Sequence, residues 1–113
     1  MQSEHKPWGS DQVLETRPGY QVKRITVFPG AKGSLQSHEH RFEHWTVVKG
    51  NGLATVDSEI SPLSVGQSVN IPLGATHRME NPGAEDLEFI EVQFGDYLGE
   101  DDIVRHEDMY NRV

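Results

Sequence analysis

The sequence predicts an all-β fold, an antiparallel sandwich or barrel, from two observations. Short runs of alternating apolar and polar residues recur along most of the chain, and tight-turn formers separate them. Helix-period apolar patterns are scarce. Tyr20 to Phe28 alternates and stops at Pro29-Gly30. His44 to Val48 forms a second strand, ended by the turn-former Lys49-Gly50-Asn51-Gly52. Leu53 to Val56 is a third, with Asp57-Ser58-Glu59 as a hairpin turn, and Gln67 to Ile71 a fourth, closed by Pro72-Leu73-Gly74. Thr76 to Glu80 is a fifth, followed by Asn81-Pro82-Gly83, and Leu87 to Phe94 is a sixth. The tail from Glu100 to Tyr110 reads as a short C-terminal helix, because acidic residues gather where its N-terminus would fall.

The 113 residues fit one domain over 1–113, with a core over about 20–95 and a tail over 96–113. The absence of cysteine rules out disulfides, thiolate nucleophiles and Cys-ligated zinc, so any metal must sit on His, carboxylate or amide ligands. No apolar run approaches the roughly 20 residues of a membrane span, and the start carries no hydrophobic signal core. A cytoplasmic location and no membrane partner are the expectation. The formal net charge of −8 argues against nucleic acid, and a protein this acidic needs local positive charge to hold an anion.

Two segments carry chemistry. In the first, His38-Glu39-His40 would place two imidazoles on one face of a strand. The second runs Gly66, five residues, Pro72, one residue, Gly74, two residues, His77, three residues, Asn81. At every fixed position this spacing resembles the second motif of the cupin superfamily, which implies a double-stranded β-helix, or jelly-roll barrel, binding one metal ion. The first cupin motif runs glycine, five residues, ligand-x-ligand, three or four residues, glutamate, six residues, glycine. Counted from Gly30, it falls on Gln36, His38, Glu43 and Gly50. The resemblance therefore implies Gln36, His38, Glu43 and His77 as metal ligands, with His40 at the edge of the shell. One divalent ion is expected on this mixed N/O set, with zinc first and manganese, iron, cobalt or nickel also compatible. His5 and His106 read as solvent-facing, and His44 as turned away from the ligand face.

Within the superfamily, Leu35 to Trp45, Asn70-Ile71-Pro72, His77 to Gly83, Ile90 to Gln93 and Gly95 to Arg105 resemble type II mannose-6-phosphate isomerase. Lys6-Pro7-Trp8-Gly9 resembles the start of the same region, and the similarity runs from about residue 6 to 112. In that family the cupin usually follows a mannose-1-phosphate guanylyltransferase domain. The resemblance implies interconversion of mannose 6-phosphate and fructose 6-phosphate through a cis-enediol. It also implies a catalytic Arg41, while His40 is the proton shuttle better matched in pKa. Lys32, Arg78 and Arg105 are the candidate phosphate contacts, and a homodimer is expected from an exposed edge strand. Two other readings compete: a sugar or sugar-phosphate binding module without turnover, and an iron-dependent dioxygenase.

Overall fold

The computed structural model describes residues 3–99 and 101–107. Every regular element among these residues is a strand: β1 (Ser3–Lys6), β2 (Gly9–Arg17), β3 (Tyr20–Val27), β4 (Leu35–Ser37), β5 (Arg41–Lys49), β6 (Gly52–Val56), β7 (Glu59–Leu63), β8 (Ser68–Ile71), β9 (His77–Glu80), β10 (Leu87–Gly95) and β11 (Val104–Glu107). One sheet has the order β1-β2-β3-β10-β5-β8 and the other β11-β4-β9-β6-β7. The paired strands run antiparallel throughout.

All six expected strands are present as β3, β5, β6, β8, β9 and β10, although β5 starts at Arg41 rather than His44. The four others in the first hundred residues show why alternation failed to announce them. β2 has no strongly buried face beyond Gly9, so its sequence shows little contrast between sides. β7 contains Pro62, which is tolerated because β7 is the edge of its sheet and that position can forgo a ladder N–H. β1 and β4 are four and three residues long, too short to show a period.

The expected C-terminal helix is not found over the described part of the tail. Val104–Glu107 is strand β11, which lines up along β4 with Val104 opposite Ser37 and Arg105 opposite Gln36. The reason is local. β4 otherwise presents an unpaired edge, and Ile103-Val104 is β-branched and favours the extended backbone. Residues 100 and 108–110 of the expected helix lie outside the described residues.

An apolar cluster fills the space between the sheets: Ile25 and Val27 from β3, Trp45 and Val47 from β5, Leu87 and Phe89 from β10, with Met79, Ala54, Leu63, Ile71 and Ala75 completing it. The inward face of each central strand changes character along its length. β5 buries Val47 and Trp45, then Glu43 and Arg41; β10 buries Leu87 and Phe89, then Glu91 and Gln93; β3 buries Val27 and Ile25, then Lys23. Register aligns these transitions, with Phe89 opposite Val47 and Ile25, Glu91 opposite Trp45 and Lys23, and Gln93 opposite Glu43. One end of the barrel is thus a dry core. The other is a buried polar chamber.

Candidate metal centre

Three side chains converge at the polar end: His38, just past β4, Glu43 on β5 and His77 at the start of β9. Their nearest ligand atoms all lie within 4.8 Å of one another. All three are buried, at 2%, 1% and 3% exposure. Two motif glycines shape the approach. Gly66 and Gly74 both have left-handed backbone, at φ 88° and 79°, which a side chain would strain. The Gly74 N–H donates to the His38 carbonyl at 3.0 Å, tying the turn before His77 to the loop that carries His38. Asn81, the last motif residue, has a structural role: its amide donates to the Val27 and Glu85 carbonyls and its oxygen accepts the Gly83 N–H.

Backbone carbonyls fix the imidazole tautomers. His38 Nδ1 lies 2.7 Å from the Asp102 carbonyl and His77 Nδ1 3.0 Å from the Ala75 carbonyl. A carbonyl can only accept, so each Nδ1 is the donor and each Nε2 carries the lone pair. Burial favours the neutral rings: it lowers His38 to about 4, helped by the neighbouring Arg41 cation, and it also lowers His77. The acceptor His38 Nε2 then stands 3.2 Å from Glu43 Oε2, and His77 Nε2 stands 3.9 Å from Glu43 Oε1. Three acceptors facing one another need a cation between them. Two neutral imidazoles and a carboxylate are a donor set that fits a divalent metal.

A guanidinium meets part of that need. Arg41 Nε donates to Glu43 Oε2 at 2.8 Å and Nη2 to His38 Nε2 at 3.1 Å, whereas Nη1 is buried with no hydrogen-bond partner among the described residues. Gln36 stands directly opposite His77 in the β4–β9 pairing and lines the same cavity. Its amide nitrogen donates to Ser34 Oγ at 3.0 Å, so Oε1 is the end of the amide that Ser34 leaves available. His40 is not drawn into this group. It is exposed on the loop after His38, its ring edge-on to Tyr97 at 6.0 Å, and its N–H donates to Asp102 Oδ2.

Around the triad lies a second layer that the spacing of the sequence did not single out. The Trp45 indole N–H is shared between Glu43 Oε1 at 2.9 Å and Glu91 Oε1 at 3.0 Å. Gln93 donates to Glu91 Oε2 at 2.7 Å and accepts from Gln21. Burial and then the nearby Glu43 charge push the Glu91 carboxyl up to about 7. Asp102 holds the ligand loop from below, its carboxylate accepting the N–H groups of Glu39 and His40. Burial acts to raise its carboxyl, but those amide bonds outweigh it and hold the group below the usual carboxylate range. Strand alternation alone could have marked Glu91 and Lys23, charged residues on the inward faces of β10 and β3.

The cavity beside the triad is lined by Gln36, Arg41, Trp45, His77 and Glu91, and by Lys6, Lys23, Arg78 and Arg105. Five of the ten Lys and Arg residues of the chain therefore face one chamber, against two acids in its wall, Asp11 and Glu91. Of the expected phosphate contacts, Arg78 and Arg105 are in this wall and Lys32 is not.

Comparison with known proteins bears on the fold and the family. Solved structures that share the fold include an S161A mutant of the oxalate decarboxylase OxdC from Bacillus subtilis, with a TM-score of 0.81 at 21% identity over 94% of this chain and 30% of that one. They also include an RmlC-like cupin from Shewanella frigidimarina, with a TM-score of 0.77 at 26% identity over 88% of this chain and 86% of that one. Among curated relatives, the xanthan biosynthesis protein XanB of Xanthomonas campestris is 56% identical over 96% of this chain. The mannose-1-phosphate guanylyltransferase ManC of Salmonella typhimurium is 51% identical over the same share. The chain spans 23% of the length of each. The family model described as mannose-6-phosphate isomerase C-terminal matches residues 1–108, so the cupin barrel seen here belongs to that family.

Proposed function

We propose that this chain interconverts mannose 6-phosphate and fructose 6-phosphate, with one divalent metal, zinc first, held by Gln36, His38, Glu43 and His77. The observation that carries the reading is the cavity beside the triad, whose wall holds His77 and Gln36 together with half of the Lys and Arg residues of an acidic protein. A neutral sugar has no use for such charge. A phosphorylated one does. The family match and the mannose-phosphate chemistry for which the ManC relative is named point the same way.

A divalent cation at the triad would act as a Lewis acid on the C1 and C2 oxygens and lower the cost of the developing enediolate. The chain's own groups supply the rest. Arg41, whose buried Nη1 has no partner among the described residues, offers a fixed N–H to a developing oxyanion. Moving a proton from C2 to C1 needs a base within reach. Glu91 fits this role because it stands in the cavity wall with both oxygens held by Trp45 and Gln93. His40, exposed beside Tyr97 and outside the cavity wall, is the alternative base.

The test is metal analysis of the purified protein together with a coupled isomerase assay. The expected result is one equivalent of divalent metal and turnover of mannose 6-phosphate, both lost in His77→Ala. Saturable binding of mannose 6-phosphate without turnover, across several added metals, would replace the isomerase with a binding module. Stoichiometric iron with oxygen consumption would replace it with a dioxygenase.

A further inference from the structure

The chamber has two ends, and a transverse row of residues connects them. In the five-stranded sheet, Arg105 on β11 is the register partner of Gln36 on β4, and Gln36 is the partner of His77 on β9. Residues directly opposite in antiparallel pairs project to the same face. All three line the cavity. The row therefore runs from a metal-ligand candidate, across an amide, to a guanidinium. Neighbouring strands lie about 4.8 Å apart, so the two steps from His77 to Arg105 span roughly 10 Å at the level of the backbone.

Arg105 is also incompletely satisfied. Its Nε is buried and has no hydrogen-bond partner among the described residues. A guanidinium N–H withdrawn from water without a partner costs the protein free energy unless an acceptor arrives. Another such donor in the chamber, Arg41 Nη1, belongs to a side chain only 4% exposed.

We propose that Arg105 is the phosphate anchor, the residue that selects a sugar phosphate over the free sugar. This rests on the hexose-phosphate reading above. An open-chain hexose 6-phosphate has seven bonds between C1 and phosphorus, about 8 to 9 Å at full stretch with bonds near 1.5 Å. With C1 and C2 beside His77, a phosphoryl group at the far end of the chain falls toward Arg105, two strands from β9. The planar guanidinium fork suits a phosphate's paired oxygens better than a lysine ammonium does. The C-terminal strand would then be part of the site.

Three proteins decide it: the wild type, Arg105→Gln and Arg105→Lys, with thermal unfolding and metal content confirming that each folds and loads. The expected result for Arg105→Gln is a KM for mannose 6-phosphate raised about thirtyfold or more, with kcat changed several-fold at most. Binding of inorganic phosphate, measured by calorimetry, weakens at least tenfold in the same variant. Arg105→Lys recovers part of both, which a purely packing role for the side chain would not produce. Lys32→Ala, outside the cavity wall, leaves both unchanged. An unchanged KM and unchanged phosphate affinity in Arg105→Gln overturn the anchor even where wild-type turnover stands. A wild type that binds phosphate through Arg105 without turning over the sugar keeps the anchor and removes the isomerase.

Discussion

At the scale of single residues, the ligand triad was legible and its surroundings were not. His38, Glu43 and His77 could be counted from glycines and a proline because turn residues fix how much chain lies between a turn and a strand. Glu91 left no such mark. Alternation puts it on the inward face of β10, and the register with Trp45 and Lys23 then places that position in the chamber. Its environment makes a pH prediction. Glu91 has its folded-state value raised from 4.5 to about 7, first by burial and then by Glu43, so between those values the folded protein binds the extra proton. That contribution to stability is complete below about pH 4.5 and is lost as pH rises through about 7. His38, lowered from 6.5 to about 4, acts in the opposite sense: the unfolded chain takes up its proton first, and stability falls as pH drops from 6.5 toward 4. In metal-free protein, Glu91→Gln abolishes the first loss. Relative to wild type the variant gains up to about 3 kcal/mol between pH 4.5 and pH 8, the value of a shift of this size. Urea unfolding of both proteins across that range measures it. Parallel curves for the two would show that Glu91 ionises in the folded state without penalty.

At the scale of elements, the six strands with a buried and an open face were readable, and the tail was not. The acids Glu100, Asp101 and Asp102 look like a helix N-terminus because Asp and Glu favour that end. Asp102 is occupied elsewhere. Its carboxylate takes the N–H groups of Glu39 and His40, and its carbonyl takes His38 Nδ1–H. Sequence distance hid this, since the partners are more than sixty positions away. The consequence is a positioning role. Asp102→Ala keeps the carbonyl but frees the loop between β4 and β5. Each lost amide-to-carboxylate bond costs about 1.5 to 3 kcal/mol where its donor stays buried and less where water replaces the acceptor. The expected outcome is a melting temperature lower by several degrees and metal affinity weakened about tenfold, with the isomerase kcat per bound metal preserved. Metal titration followed by activity normalised to metal content separates these. Full metal affinity in a destabilised variant would reduce Asp102 to a loop staple.

At the scale of the whole molecule, both sheets meet at the candidate metal site. Glu43 comes from β5 in the six-stranded sheet and His77 from β9 in the five-stranded one, while His38 follows β4 of the latter. At the dry end the sheets are joined by the cluster around Trp45, Val47, Leu87 and Met79. At the wet end there is little apolar contact, and Arg41 is the cation that joins Glu43 to His38. A metal shared by Glu43 and the two imidazoles would link the sheets where hydrophobic packing is weakest. Stability must then depend on metal concentration. A ligand that binds only the folded state adds about 2.7 kcal/mol when its free concentration is a hundred times its dissociation constant. In a domain of about a hundred residues each kcal/mol moves the melting temperature by roughly 4 °C or more, so chelation should lower it by on the order of 10 °C. Restoring zinc restores the melting temperature, and the shift grows with the logarithm of free metal. Glu43→Gln tests the geometry. It removes the charge that attracts a cation and nearly preserves the shape, so the variant should melt at one temperature with or without metal. A Glu43→Gln protein that still gains several degrees from zinc would mean that the histidines hold the ion by themselves, without the carboxylate from the opposite sheet.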